Sequence, residues 1–205
     1  MSAPTTAGPA PQTPNLMVTP SGPQRPQPGL PSAAGPRMMT FPASSGALYV
    51  VGAHGGAGET TIAAWSAARA GAGRWPVSAS WPPGGQPRPD GGELDVVLVA
   101  RTHAAGLTAA ASVLSQWASG RLPANRLHGL VLVPDAPGRL PKPLSDLALV
   151  VAGGAPRSWL LPWLDPLRLL VDPSAATAAG IRLPRSVLRF TRDLQGLSAN
   201  ATPTS

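Results

Sequence analysis

Short apolar runs alternate with stretches of helical spacing along the middle of the chain. Residues 46–53 carry Tyr49-Val50-Val51 and close on Gly52. Residues 94–100 read Leu-Asp-Val-Val-Leu-Val-Ala, and 129–133 read Gly-Leu-Val-Leu-Val. Near-continuous apolar runs of this length, rich in β-branched residues, predict strands of a parallel sheet covered on both faces. Between them the spacing changes from two to three and four. Ile62, Ala63, Ala64, Ala67 and Ala68 predict a helix over 59–71 that stops at Gly71 and Gly73. Leu107, Ala110, Ala111, Leu114 and Trp117 predict a second over Leu107–Ser119. Pro141–Val151 predicts a third, with proline in its first turn. Pro184–Gly196 predicts a fourth, with Leu183, Val187, Phe190 and Leu194 on one face. Trp159-Leu160-Leu161-Pro162 reads as an edge strand, because proline cannot join a central ladder. Residues 72–93 read as a loop around one short strand, Pro76–Ser80. Strand and helix in alternation predict an α/β layer fold with a mainly parallel sheet.

Composition sets the boundaries. The chain has 205 residues, with 27 Pro and 23 Gly. Much of that excess lies in residues 1–45, which cannot bury enough apolar surface to offset ordering entropy. The expected organisation is a disordered tail over 1–45, one α/β domain over 46–197 and a disordered end over 198–205. There is no cysteine, which excludes disulfides, thiolate zinc sites and cysteine nucleophiles. No charged start followed by an apolar core marks a signal peptide, and no apolar run reaches the ~20 residues of a membrane helix. This is compatible with a cytosolic protein.

The net charge is +7. Positive charge invites nucleic acid or an acidic protein surface. Arg, Ala, Gly and Pro are also all encoded by GC-rich codons, so genome bias is the competing explanation. Arg182, Arg185, Arg189 and Arg192 fall on one face of the last predicted helix, at spacings of three, four and three. That face is either a solvated basic surface or a docking face for an acidic partner or a phosphate backbone.

The most informative segment lies between the first strand and the first helix. His54-Gly55-Gly56-Ala57-Gly58-Glu59-Thr60-Thr61 has the strand, glycine loop and helix layout that cradles phosphates on backbone N–H groups. It resembles the deviant Walker A loop of the ParA/MinD family, Lys-Gly-Gly-x-Gly-Lys-Thr-Thr. Both lysines are absent: His54 stands for the first and Glu59 for the second. Weaker likeness continues through Asp95–Leu114, Gly129–Pro134 and Leu161–Asp165, so the resemblance covers about 46–170, and only the loop is specific. It implies a three-layer P-loop-like fold, reduced relative to ParA/MinD, from a GC-rich, actinomycete-type bacterium. It further implies a dimerising cytoplasmic protein serving plasmid partition, conjugation or secretion.

The departures bear on chemistry. Between the first helix and Leu94 there are about twenty residues, mostly Pro and Gly, where the family places a strand with its catalytic aspartate. No Walker B strand ending in Asp-x-Pro is found. Asp95 begins its strand, whereas ligands lie beyond strand C-termini, so Asp95 is at the wrong end to hold magnesium. A unit charge pair at ~4 Å is worth about 4 kcal/mol at an effective dielectric of ~20. Replacing lysine by glutamate therefore costs about a thousand-fold or more in affinity for phosphate. Loss of lysine and metal together removes the usual stabilisation of phosphoryl transfer.

Three readings of the loop follow. Glu59 fills the position of a phosphate, stabilised by free N–H groups and the helix dipole. Alternatively, the loop binds nucleotide weakly in an altered mode helped by Thr60 and His54, with ATP and magnesium as cofactors. Or the domain is an NTPase that borrows a lysine from a partner. The first leads: a pseudo-NTPase with no assigned catalytic residue, no metal and no resident cofactor, working through a protein partner. A DNA-associated accessory protein is the remaining class.

Other constellations are weaker. His54, His103 and His128 lack metal-ligand spacing and read as isolated loop or surface residues. No Gly-x-Ser-x-Gly elbow exists. Asp135 and Arg139 follow a strand on the ligand side but sit in a proline–glycine turn. Trp159 and Trp163 read as core or interface.

Overall fold

A computed structural model of the chain describes residues 22–27, 29, 48–66, 69–70, 94–122, 125–170, 176 and 180–201. Among these residues, five parallel strands form one sheet in the order β2-β1-β3-β4-β5. They are β1 (Leu48–Gly52), β2 (Arg69–Ala70), β3 (Leu94–Arg101), β4 (Asn125–Val133) and β5 (Ser158–Leu160). The helices are α1 (Glu59–Ser66), α2 (Ala104–Ala118), α3 (Lys142–Gly153) and α4 (Arg185–Ala201), with a 3-10 turn at Asp165–Leu169.

The two-residue period of the strands divides the core between two faces. Val96, Leu98 and Ala100 of β3 join Tyr49, Val51, Leu130 and Leu132 on the face covered by α2 and α3. Val97 and Val99 join Leu48, Val50 and Val131 on the opposite face, covered by α1 and α4. Both faces of β3 are therefore dry, which is why its sequence is an unbroken apolar run. The result is a three-layer α/β/α arrangement, as the alternation of runs predicts.

Several expected boundaries move. The helix expected over 59–71 ends at Ser66, whose hydroxyl donates to the carbonyls of Ile62 and Ala63. Arg69–Ala70 instead pair with Tyr49 and Val50 as an edge strand. β4 begins at Asn125, four residues before the apolar run. Its register on β3 shifts between Val96 and Val97, and the irregularity resets the face alternation. α4 runs on to Ala201, past the Gly196 where a stop is expected. One helical glycine costs only about 1 kcal/mol, which tertiary packing overrides. β5 lies at the sheet edge, with Pro162 just beyond it. The expected strand Pro76–Ser80 and the stops at Gly71 and Gly73 lie outside the described residues.

Gly129 permits a close approach in the sheet. A Cβ there would lie 2.5 Å from the Trp159 ring and 2.6 Å from the Arg157 carbonyl. Trp159 meets Phe190 of α4 edge-on, with centroids 5.7 Å apart. This stack fastens α4 to the sheet. Among residues 1–45, read as disordered, 22–27 and 29 are described. The Gln27 N–H donates to the Ala118 carbonyl at 2.6 Å, and Gln24 Nε2 donates to the Pro156 carbonyl at 3.1 Å. No helix among the described residues is long and apolar enough to cross a membrane.

Candidate functional site

The sheet order places the site. From β1 the chain goes to β2 on one side, then returns to β3 on the other. The strand order thus reverses between β1 and β3, and the crevice beyond their C-terminal ends is where open α/β sheets hold ligands. The glycine loop leaves β1 at this point, and Arg101-Thr102-His103 leave β3 beside it.

The loop turns on two glycines at positive φ, Gly56 at 73° and Gly58 at 103°, a region that side chains disfavour. Ala57 between them is fully buried, while Gly55 and Gly56 are exposed. Glu59 opens α1, and its carboxylate turns back to accept the Gly58 N–H at 3.0 Å. A Cβ on Gly52 would also lie 3.0 Å from that carboxylate, so the acid sits under the loop, close to the end of β1. Thr60 is exposed and Thr61 half-buried.

Histidine ties the loop to β3. His54 Nε2 accepts the Arg101 N–H at 3.0 Å, and its Nδ1 lies 2.9 Å from the Gly55 carbonyl. Both contacts are satisfied by the neutral ring with its proton on Nδ1. The His103 ring lies 5.0 Å from that of His54. His103 caps α2, its Nδ1 accepting the Gly106 N–H at 2.9 Å. His128 lies at the other end of the sheet, 2.6 Å from Asp95 Oδ1. None of the three is an isolated loop or surface residue as their spacing alone implied. Their partners come from other strands or from a cap position where Ser, Thr, Asp and Asn are the usual signals.

The C-terminal end of β3 carries a cation. Arg101 Nε donates to the Gly56 carbonyl at 3.0 Å, and its guanidinium reaches the Pro134 carbonyl at 3.4 Å and Asp135 at 3.9 Å. Asp135 also donates its N–H to Thr102 Oγ1 at 3.1 Å, so the turn after β4 is stitched to β3. Arg139 stands exposed in the same turn, beside Gly138 at positive φ. Asp95, by contrast, opens β3 at the far end. Burial works to raise its pKa, but hydrogen bonds from His128 and Arg126, and their charge, outweigh it and hold the carboxyl below its ordinary 3.8.

Residues 46–187 match the sequence model of DUF6668, a family of unknown function. The chain belongs to that family. The match takes in the loop, all five strands and the first turn of α4, so the DUF6668 unit includes both sides of the β1/β3 crevice. No curated protein and no solved structure matches this DUF6668 chain at a significant level.

Beside the loop, the DUF6668 domain has a pocket of about 330 Å3. Gly58, Thr61, Ile62 and Trp65 form one wall, Arg101, Val133 and Pro134 the floor side. The segment after β5, from Leu161 to Leu170, closes it. Trp163 therefore lines a cavity, and Trp159 is core. Trp65, Arg101 and Arg168 were not legible as site residues, because a tryptophan in a helix and an arginine at a strand end or in a 3-10 turn carry no spacing signal. Arg182, Arg185, Arg189 and Arg192 are all exposed, on and just before α4, apart from the pocket-lining residues.

Proposed function

We propose that this is a degenerate P-loop-like domain, akin to ParA/MinD proteins, that does not hydrolyse nucleotide and works through protein contacts. One observation carries the reading: the Glu59 carboxylate accepts the Gly58 N–H, taking for itself a donor that a phosphate would need. A second supports it. The ParA/MinD pattern ends its Walker B strand on aspartate, whereas β3, paired directly with the loop strand, ends in Ala100-Arg101. Carboxylate replaces lysine in the loop, and guanidinium replaces carboxylate at the strand end. This inverted pattern suits neither an anionic polyphosphate nor its magnesium. The surfaces left for partners include Leu149 and Val150, exposed on α3.

The test is calorimetric titration with ATP, ADP and GTP, with and without magnesium, on wild type and Glu59→Lys. The expected result is no binding to wild type and binding gained in Glu59→Lys. Micromolar binding to wild type overturns the reading and makes the protein a nucleotide-binding ATPase or sensor with an altered loop.

The exposure of all four arginines favours a second reading, a basic accessory protein that contacts DNA. Binding to duplex DNA would then fall steeply with salt and weaken in the double variant Arg185→Ala, Arg189→Ala. Binding that ignores salt rules this out.

A further inference from the structure

The pocket beside the loop has a chemistry of its own, independent of whether the loop binds phosphate. Its lining includes Ile62, Leu161, Leu164 and Leu167, and two indoles, Trp65 and Trp163. Its charged lining residues are Arg101 and Arg168, and no acid lines it among the described residues. The two arginines differ. Arg101 is spent on Gly56, Pro134 and Asp135. Arg168 makes no salt bridge or hydrogen bond among the described residues and lies with its guanidinium 5.8 Å from the Trp163 ring centroid. Trp163 is itself fixed, its Nε1 donating to Asp165 at 2.8 Å. The Trp65 Nε1 is buried and has no partner among the described residues.

We infer that this pocket binds a small organic anion with a flat apolar body and a single carboxylate-type group. The indoles and aliphatic side chains take the body, and Arg168 takes the charge. The volume lies near the lower end of the ~300–1000 Å3 usual for ligand pockets, which limits the ligand to one or two rings. The contact with the Trp163 ring restrains the guanidinium, so less order is lost on binding.

Indole-3-acetate is the probe, its neutral amide indole-3-acetamide the control, both titrated into the full chain by calorimetry. Saturable binding of the acid is expected, with the amide about tenfold or more weaker. Arg168→Ala, an exposed position, should weaken the acid about tenfold and leave the amide unchanged. Trp163→Ala should weaken both. The inference is overturned by equal binding of acid and amide, by an Arg168→Ala variant that binds like wild type, or by no binding up to millimolar acid. Failure here leaves the loop reading standing, because that rests on the ATP titration of Glu59→Lys. Binding of ATP in place of the indole acid overturns both.

Discussion

His54 Nε2 accepts the backbone N–H of Arg101 at 3.0 Å, joining the loop after β1 to the end of β3 across the point where the strand order reverses. The contact has little room around it. A Cβ on Gly106 would lie 2.8 Å from His54 Nε2 and 2.5 Å from the Arg101 carbonyl. His54→Ala leaves the Arg101 N–H without its acceptor and should cost about 1–3 kcal/mol. Gly106→Ala should cost a similar amount by overpacking, about 1–3 kcal/mol. Urea denaturation of both variants checks this. The double variant should lose less than the sum, because both act on one contact. Strict additivity would show that the two residues are not coupled.

Gly22 offers a test of the segment before the domain. A Cβ there would fall on the Ala155 carbonyl oxygen and lie 2.6 Å from that of Gly153. Only glycine fits so close to two carbonyls, and Gln24 and Gln27, which follow it, bond to Pro156 and Ala118. Gly22→Ala should therefore release residues 22–27 from the domain. Amide exchange at Gln27 should rise while exchange in β3 and β4 stays unchanged. Protection at Gln27 that survives the substitution would refute the docking.

Strand and helix types were legible where a long run keeps one period. The unbroken run Val96–Ala100 suits a strand buried on both faces, as found, and Val187, Phe190 and Leu194 mark the inner face of α4. The glycine loop was legible because Gly56 and Gly58 adopt positive φ. What was hidden depends on pairing between distant residues. Nothing in the order of residues announces that Arg69-Ala70 would leave a helix to pair with Tyr49-Val50, or that His54 would meet Arg101. The pocket was hidden for the same reason. Its walls come from α1, the ends of β3 and β4, and the segment after β5, which only the parallel topology brings together.

At the opposite end of the sheet, Asp95 accepts bonds from Arg126 at 2.7 and 3.2 Å and lies 2.6 Å from His128 Nε2. Its pKa is lowered, because those partners outweigh the effect of burial. A carboxyl with a depressed folded-state pKa binds protons more readily when unfolded. Its stabilisation is complete above the unfolded value near 4 and is lost as pH falls below it. Asp95→Asn should thus destabilise the domain by about 1–3 kcal/mol at neutral pH. The gap to wild type should narrow on acidification below about pH 4. Denaturation midpoints measured at both pH values decide it, and a gap that stays constant would mean that the charge is irrelevant.

Phe190 tests whether α4 belongs to the folded unit, since the family match stops at residue 187 and most of the helix lies beyond it. Phe190 is 1% exposed, packs edge-on against Trp159, and shares its cluster with Leu48, Val50, Val97 and Leu194. Among the described residues, the face of the sheet it covers is otherwise protected by α1, which has only eight residues. Without α4 the apolar side chains of β1 and β3 on that face would meet water. Phe190→Ala should then cost about 3–5 kcal/mol, the range for emptying a large aromatic site in a core. A chain ended after residue 187 should lose cooperative unfolding altogether. The basic face makes a control: Arg189→Ala, one residue away and exposed, should change stability by no more than about 0.5 kcal/mol. A Phe190→Ala variant as stable as Arg189→Ala would detach α4 from the core and leave that face of the sheet to be covered by another molecule.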